Sequence, residues 1–304
     1  MMQKVLVVVG PTGVGKTKLS IELAQKYNAE IISGDAYQCY KELTIGSAKI
    51  SPEEMQGIPH YLVDTIAYKE VYNVKHFQQK ARLYIDDIAR RGKLAMVVGG
   101  TGLYIKSLLY DYIFHDEEID VRYATYLETQ TNEELYKLLL EVDEKTAQTL
   151  HLNNRQRIKR ALMMEHMGHK KSEILAKQEH KLLYDVYIVG LTMERSHLYE
   201  RIDERVLKMI EQGLEKEVMG LVNTIDDFAL QSLQGIGYKE WKNYYLGEKS
   251  KADTIALIQK NTRNFAKRQY TWFHNQMDIH WFDVESKDYK KRLLIEIENW
   301  IKEA

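Results

Sequence analysis

Residues 5 to 17 read VLVVVGPTGVGKT, an apolar run that leads directly into a glycine-rich turn. The turn, Gly10–Thr17, matches the pattern G-x-x-x-x-G-K-[ST], and helical periodicity begins near Lys16. Between a strand and a helix, the backbone N–H groups of such a turn close around phosphate oxygens. Lys16 then supplies a cation, and Thr17 supplies a hydroxyl ligand for Mg²⁺. The segment predicts a polyphosphate site.

Three further apolar runs indicate buried strands, at Glu30–Ile32, Leu94–Val98 and Val186–Leu191. A helical pattern over Lys16–Tyr27 precedes the run at Glu30–Ile32, and another over His76–Arg91 precedes the run at Leu94–Val98. Alternation of buried strands and helices is typical of a parallel sheet covered by helices. The sequence therefore predicts an α/β fold of the P-loop NTPase type.

A long segment without strand-like runs interrupts this alternation. Acidic residues outnumber basic ones from 114 to 150, and the balance reverses from 151 to 181. We predict a helical insertion domain over residues 115–182, and a catalytic core formed by residues 1–114 and 183–304.

The composition narrows the class of protein. The chain has 304 residues, of which 44% are hydrophobic and 29% charged, so a folded globular protein is expected. The single cysteine, Cys39, excludes an internal disulfide framework and favours a reducing cytoplasm. The first apolar run is far shorter than the ~20 residues that cross a bilayer, so no membrane association is expected.

The net charge of −1 does not indicate nucleic-acid binding, but the local charge pattern is more informative. One basic stretch lies in the insertion, and another, Gln259–Phe273, carries no acidic residue and is interleaved with aromatic residues. Taken alone, these stretches are equally compatible with solvated helix faces.

A carboxylate is the next candidate for chemistry. A conventional P-loop nucleotidase holds its metal with an acid at the end of a neighbouring strand, but Leu94–Val98 ends in Gly99-Gly100-Thr101-Gly102. Asp35 instead follows the strand at Ile32, and the carboxyl ends of parallel strands form the ligand crevice. Group transfer from an anionic donor to a separately bound acceptor is indicated, and phosphoryl transfer stays open on these grounds.

The chain resembles the bacterial tRNA dimethylallyltransferases over nearly its whole length. The motifs that carry the resemblance are Gly10–Thr17, Ser33–Tyr40, Ile45–Lys49, Gly57–Asp64, Val98–Tyr104, Asn153–Leu162, Arg201–Arg205, Gly235–Tyr238 and Thr262–Gln269. The sequence departs from the family pattern at Ala36, where serine is usual, at Asn154-Arg155, where Asp-Pro is usual, and at Gly168–Lys171. These departures concern RNA contacts more than the reaction.

The resemblance implies transfer of a dimethylallyl group from dimethylallyl diphosphate to the exocyclic amine of the adenosine 3′ to the tRNA anticodon, with release of pyrophosphate. Asp35 would be the general base and Gln38 would hold the flipped adenine. Thr101 would contact the reacting nucleotide, and Arg205, with Arg201 as second choice, would stabilise the leaving group. Mg²⁺ bound by Thr17 would be the cofactor.

The resemblance also assigns binding residues and partners. The donor pyrophosphate would contact Gly10, Pro11, Thr12, Gly13, Val14, Gly15, Lys16 and Thr17. The tRNA anticodon stem-loop would contact Asp35, Ala36, Tyr37, Gln38, Thr101, Arg122, Arg155, Gln156, Arg157, Arg160, Gly237, Tyr238, Arg263, Lys267, Arg268 and Gln269. The insertion would clamp the RNA, and we expect the enzyme to act as a monomer.

Two other functions share part of this pattern. An isopentenyltransferase that acts on free AMP or ADP would have the same loop and Asp35 but would not need a basic insertion. A small-molecule kinase or ATPase would have the loop and would release ADP from ATP.

Overall fold

The computed structural model describes residues 2–114, 120–177 and 179–303. Within these ranges one parallel sheet is formed by β1 Lys4–Val9, β2 Ala29–Ser33, β3 His60–Tyr61, β4 Leu94–Gly99, β5 Asp185–Thr192 and β6 His280–Asp283. The strand order is β3-β2-β4-β1-β5-β6, with each pair of neighbours parallel. The predicted α/β class and its four strands are confirmed.

The central strand is β1, which lies between β4 and β5. Val5–Val9 have no exposed surface, as the unbroken apolar run requires of a strand covered on both faces. The edge strands β3 and β6 were not predicted. They are short and carry polar residues such as His60, His280 and Asp283, so neither has the continuous apolar run of a buried strand.

Helices cover the sheet. Those that precede the insertion are α1 Lys16–Tyr27, α2 Pro52–Met55, α3 Val74–Arg90 and α4 Gly102–Leu109. Those that follow it are α10 Arg195–Glu211, α11 Leu214–Leu221, α12 Trp241–Tyr245, α13 Lys251–Gln276 and α14 Tyr289–Lys302, with 3₁₀ helices at Ile225–Ala229 and Gln231–Gln234. None of the helices in the described ranges has the length and apolarity needed to cross a membrane.

Residues Tyr110–Leu182 form a separate compact unit. Its helices are α5 Val121–Thr129, α6 Asn132–Val142, α7 Glu144–Gln148, α8 Arg155–His166 and α9 Lys171–Lys177. They enclose a small core of their own, composed of Leu127, Leu135, Leu139, Ala147, Ile158, Ala161 and Leu162. The start predicted for this insertion, residue 115, lies outside the described residues.

Candidate active site

The glycine-rich loop Gly10–Thr17 connects β1 to α1. Gly13 and Gly15 have φ angles of 84° and 105°, which residues other than glycine rarely adopt. A Cβ atom on Gly10 would lie 2.7 Å from the carbonyl oxygen of Leu191, so only a glycine at this position lets the loop pass so close to β5. The sequence thus bends the chain sharply and presents the first turn of α1, with its unpaired N–H groups, to an anion.

Two cationic side chains donate hydrogen bonds to this loop. Nζ of Lys16 donates to the carbonyl oxygens of Gly10 and Pro11, each at 2.9 Å. The guanidinium of Arg205, on α10, donates to the Thr12 hydroxyl at 3.2 Å. Burial, and then the positive charge of Arg205, lower the pKa of Lys16 to about 8. Such crowding of cations indicates a site for an anion that carries more than one negative charge.

Asp35 lies directly after β2, as predicted. Its Oδ1 accepts hydrogen bonds from the backbone N–H groups of Tyr37, at 2.8 Å, and Gln38, at 3.3 Å. This side-chain turn fixes the orientation of the carboxylate. Cys39, on the same loop, is fully buried, and burial raises the pKa of its thiol to about 12, so it is not a nucleophile.

A close crossing of two glycines brings Thr101 to the Asp35 loop. A Cβ atom on Gly99 would lie 2.4 Å from the carbonyl oxygen of Gly34, so the chains after β4 and β2 touch through backbone atoms. The hydroxyl of Thr101 accepts a hydrogen bond from the N–H of Ala36 at 3.2 Å. Thr101 therefore helps to shape the loop that carries Asp35.

Two pockets adjoin at Asp35. The first, a polar cleft of about 410 Å³, is lined by the loop residues Thr12, Gly13, Gly15, Lys16 and Thr17, together with Asp35, Gln38, Arg201 and Arg205. The second, of about 520 Å³, has a largely apolar wall that includes Ile202, Val206, Met209, Ile236, Phe265 and Trp272. Their shared residues are Thr12, Asp35, Ser47, Gly100, Arg205, Phe265 and Gln269. A bound anion and an apolar or aromatic group can thus meet beside one carboxylate.

Not every residue of the loop faces the cleft. Val14 is 1% exposed and belongs to the hydrophobic core. Gly10 and Pro11 contribute through the carbonyl groups that hold Lys16. The side chain of Val14 therefore serves the core, and contact of these three residues with the donor through backbone atoms stays a prediction.

Gln269 joins two loops of the site. Its Oε1 accepts from the N–H of Thr12 at 2.9 Å, and its Nε2 donates to the carbonyl oxygen of Gly100 at 2.9 Å. The residue is 6% exposed. Its amide forms hydrogen bonds within the protein, and the RNA contact of Gln269 stays a prediction.

The residues expected to hold a flipped base are also engaged. Gln38 accepts from the Ser33 hydroxyl and donates to the carbonyl oxygen of Ala48, both at 3.2 Å. Tyr37 lines the apolar pocket together with Ala36 and Gly237, and burial raises the pKa of the Tyr37 hydroxyl to about 12. Gln38 is thus held in place by its own amide contacts.

The basic residues of α13 divide into two groups. Arg263 forms an ion pair with Asp203, with Nη1 at 2.5 and 2.6 Å from the two carboxylate oxygens, and so joins α13 to α10. Lys267 and Arg268 are exposed, and the guanidinium of Arg268 lies 5.7 Å from the centre of the Phe265 ring. In this structure Arg263 serves an ion pair between helices and its RNA contact stays a prediction, whereas Lys267 and Arg268 are accessible.

Within the insertion, Arg155 serves the fold of the unit. Its guanidinium donates to the carbonyl oxygens of Leu127, Glu128 and Gln130, at 2.7 to 3.1 Å, and so binds the end of α5. The RNA contact of Arg155 stays a prediction. The other residues predicted here for RNA are exposed: Arg122, Gln156, Arg157 and Arg160.

The cleft offers oxygen ligands that fit Mg²⁺. Thr17 is exposed at the start of α1, and its side chain and the Asp35 carboxylate line the same polar cleft. Mg²⁺ commonly takes only one or two protein ligands and completes its shell with phosphate and water. Across residues 2–114, 120–177 and 179–303, no three His, Cys, Asp or Glu side chains converge on a metal position.

Sequence reasoning missed the apolar wall and one acidic anchor. The stripe Ile202, Val206, Met209 lines the second pocket, and helical periodicity does not distinguish a packing face from the lining of a pocket. Glu217, whose carboxylate binds the loop at Thr44–Gly46, had no local signal because its partners are about 170 residues away.

The sheet order and the loop between β1 and α1 place the chain in the P-loop class of α/β proteins. A family model described as IPP transferase matches residues 38–276. The chain belongs to the IPP transferase family, and the resemblance seen in the sequence is confirmed.

Individual relatives agree over nearly the full length. The chain is 48% identical to proteins named tRNA dimethylallyltransferase from Bacillus cytotoxicus, over 97% of this chain and 95% of the relative, and from Bacillus anthracis, over 97% and 96%. It resembles the crystal structure of a tRNA isopentenylpyrophosphate transferase from Staphylococcus epidermidis. The two share 39% identity over 98% of this chain and 99% of the other, with a TM-score of 0.72. A eukaryotic dimethylallyltransferase acting on tRNA aligns with 31% identity, coverage of 98% and 79%, and a TM-score of 0.86.

Proposed function

We propose that the protein transfers a dimethylallyl group from dimethylallyl diphosphate to the exocyclic amine of the adenosine 3′ to the anticodon of tRNA. The observation that carries this proposal is the position of Asp35, at the junction of a cationic cleft and a largely apolar pocket. Full-length similarity to proteins named tRNA dimethylallyltransferase supports the substrates.

The reaction needs a base because the lone pair of an aromatic amine is delocalised into its ring. As the nitrogen forms a bond to the allylic carbon, the bond from that carbon to the diphosphate oxygen breaks, and the amine proton passes to Asp35. Pyrophosphate departs with the electron pair of the broken bond. Asp35 lies on a loop held by Thr101, so the acceptor meets a carboxylate of fixed orientation.

The leaving group is stabilised by charges already in place. Lys16 and Arg205 surround the polar cleft, and the N-terminus of α1 adds its partial positive charge. Mg²⁺ held by Thr17 and the diphosphate would neutralise further charge when bound. Arg205 is the residue that we propose to stabilise the leaving group, and Arg201 lines the same cleft.

The proposed partner is the tRNA anticodon stem-loop, contacted by Lys267 and Arg268 of α13 and by the exposed basic face of α8 that includes Arg157 and Arg160. The target base must leave its stack to reach Asp35, and the aromatic wall of the second pocket suits an unstacked base. We propose that the enzyme acts as a monomer.

An assay with labelled dimethylallyl diphosphate and Mg²⁺ tests this function against both rivals. Label in unmodified tRNA supports the proposal, label in AMP alone supports a free-nucleotide enzyme, and ATP hydrolysis without allyl transfer supports a kinase or ATPase. Asp35→Asn keeps an oxygen that can accept the loop's hydrogen bonds but removes the base, so the rate should fall by about 100- to 10,000-fold. Full activity of this variant would contradict the assigned role of Asp35.

A further inference from the structure

Four successive backbone N–H groups, those of Thr44–Ser47, are bound by two side chains. The carboxylate of Glu217, on α11, accepts the first three at distances of 3.1, 2.7 and 3.0 Å. The hydroxyl oxygen of Tyr238 accepts the fourth at 3.1 Å and itself donates to Glu217 Oε1 at 2.7 Å. One carboxylate and one phenol thus hold the whole segment.

The segment forms a wall of both pockets. Ser47 and Ala48 line the polar cleft, and Gly46 and Ser47 line the apolar pocket. The carbonyl oxygen of Ala48 accepts from Gln38, which belongs to the loop of Asp35. A shift of this wall would therefore change the space in which the donor and the acceptor meet. It would also displace Gln38, a neighbour of Asp35.

The wall needs an anchor because its conformation is strained. Ala48 has a φ angle of 48°, which is unfavourable for a residue with a side chain. Gly46 packs so tightly that a Cβ atom there would lie 2.5 Å from the Tyr238 ring. Tyr238 is 1% exposed, and burial raises the pKa of its hydroxyl, which therefore remains a donor to the carboxylate.

We propose that Glu217 and Tyr238 are positioning residues for the transfer reaction, which act by holding Thr44–Ala48 as the common wall of the two pockets. This role rests on the proposed function. It replaces the direct tRNA contact predicted from sequence for Tyr238, whose hydroxyl is committed to Glu217 and Ser47.

The test combines hydrogen exchange with steady-state kinetics. Glu217→Gln replaces one carboxylate oxygen by a donor that faces other donors, and Tyr238→Phe removes only the hydroxyl and keeps the ring beneath Gly46. We expect faster exchange of the Thr44–Ser47 amides in both variants. With both substrates saturating, kcat should fall, by up to about 100-fold for Glu217→Gln, because a small misplacement of groups at a reacting centre has effects of that size.

The same helix provides matched controls. Glu215 accepts from the hydroxyl of Tyr244 at 2.8 Å and pairs with Lys251, so it forms a similar carboxylate–phenol pair outside both pockets. Glu215→Gln and Tyr244→Phe should leave kcat and the exchange of Thr44–Ser47 unchanged. Thermal unfolding of all four variants separates local release of the wall from a general loss of stability.

Faster local exchange together with a lower kcat, at temperatures well below unfolding, supports the proposal. Unchanged exchange in Tyr238→Phe and Glu217→Gln would overturn the anchoring role, and faster exchange with unchanged kcat would overturn the positioning role. If the wild-type protein transfers no allyl group to tRNA, the proposed function fails with it, and the exchange data still report whether the pair anchors the wall.

Discussion

At the scale of single residues, the balance of charge around the polar cleft determines what can bind. Lys16 and Arg205 face Asp35 across the cleft, so the side chains nearest the loop carry more positive than negative charge. The amine of Lys16 donates to carbonyl oxygens of its own loop. An incoming diphosphate must replace those hydrogen bonds, and its charge favours the protonated amine.

The lowered pKa of Lys16 predicts a pH dependence of pyrophosphate binding. Burial and the charge of Arg205 lower the pKa of the Lys16 amine from 10.5 to about 8, and a bound anion favours the ammonium form. Binding should therefore take up protons above pH 8 and weaken as the pH rises further. Calorimetric titration at about pH 9, in two buffers of different ionisation enthalpy, measures the uptake. Lys16→Arg is the control, because arginine stays charged; equal heats in both buffers would refute the prediction.

How far a residue's role could be predicted depended on where its partners lie. The positions of Lys16 and Asp35 at one cleft follow from neighbours in the chain, namely the loop and the end of a strand. Arg155 and Arg263 were expected to bind RNA because they lie in basic stretches, yet carbonyl groups of α5 and Asp203 engage them. Such partners are distant in sequence, so local charge patterns do not indicate them.

At the scale of elements, α13 joins the site to the rest of the core. Its residue Gln269 connects the loop after β1 to the turn after β4, and Arg263 connects the same helix to α10. The sequence indicated the basic stretch Gln259–Phe273 of this helix, but not its role as a brace, because a buried amide resembles any other polar residue of a helix in sequence.

Substitution of Gln269 should weaken both the fold and donor binding. Gln269→Leu leaves the N–H of Thr12 and the carbonyl of Gly100 without their partner, which should lower the free energy of unfolding by about 1–3 kcal/mol. The donor KM should rise, because the loop that binds phosphate loses a support. Urea unfolding and initial rates measure the two effects.

Gln276→Leu is the control for this prediction, since Gln276 lies on the same helix and accepts only an exposed hydrogen bond, from Lys106 at 3.0 Å. It should leave the donor KM unchanged. Equal effects of the two substitutions would show that Gln269 has no special relation to the loop.

At the scale of the whole molecule, the sequence predicted the parallel sheet and the helical nature of the insertion, because both follow from hydrophobic periodicity. It did not predict β3 or β6, which lie at the edges of the sheet and gain their order from neighbours. For β6 these neighbours include Tyr270 and His274 of α13, whose rings stack on Trp281 of the strand with centres 5.1 and 4.2 Å apart. Edge strands depend on tertiary contacts more than on their own residues.

The insertion should contribute to tRNA binding through charge. Arg157→Glu combined with Arg160→Glu should lower the affinity for tRNA. The slope of log affinity against log salt should become shallower by roughly 0.7–0.9 for each phosphate that the variant no longer neutralises. Pyrophosphate binding should not change. Filter binding across a range of salt concentrations measures the effect.

Lys137→Glu combined with Lys145→Glu is the matched control, because it makes the same change of charge at exposed positions of the same unit. The control should affect tRNA affinity much less. If both double variants weaken binding equally, net charge alone would explain the result and the assigned face of α8 would be wrong.

The crossing of Gly34 and Gly99 sets the separation between the turns that carry Asp35 and Thr101. A methyl group on Gly99 would begin 2.4 Å from the oxygen of Gly34, so even alanine would force the two turns apart. The clearance between the loop of Asp35 and the hydroxyl of Thr101 is therefore fixed by a residue that has no side chain. Gly99 therefore tolerates almost no enlargement, although it provides neither a charge nor a reactive group.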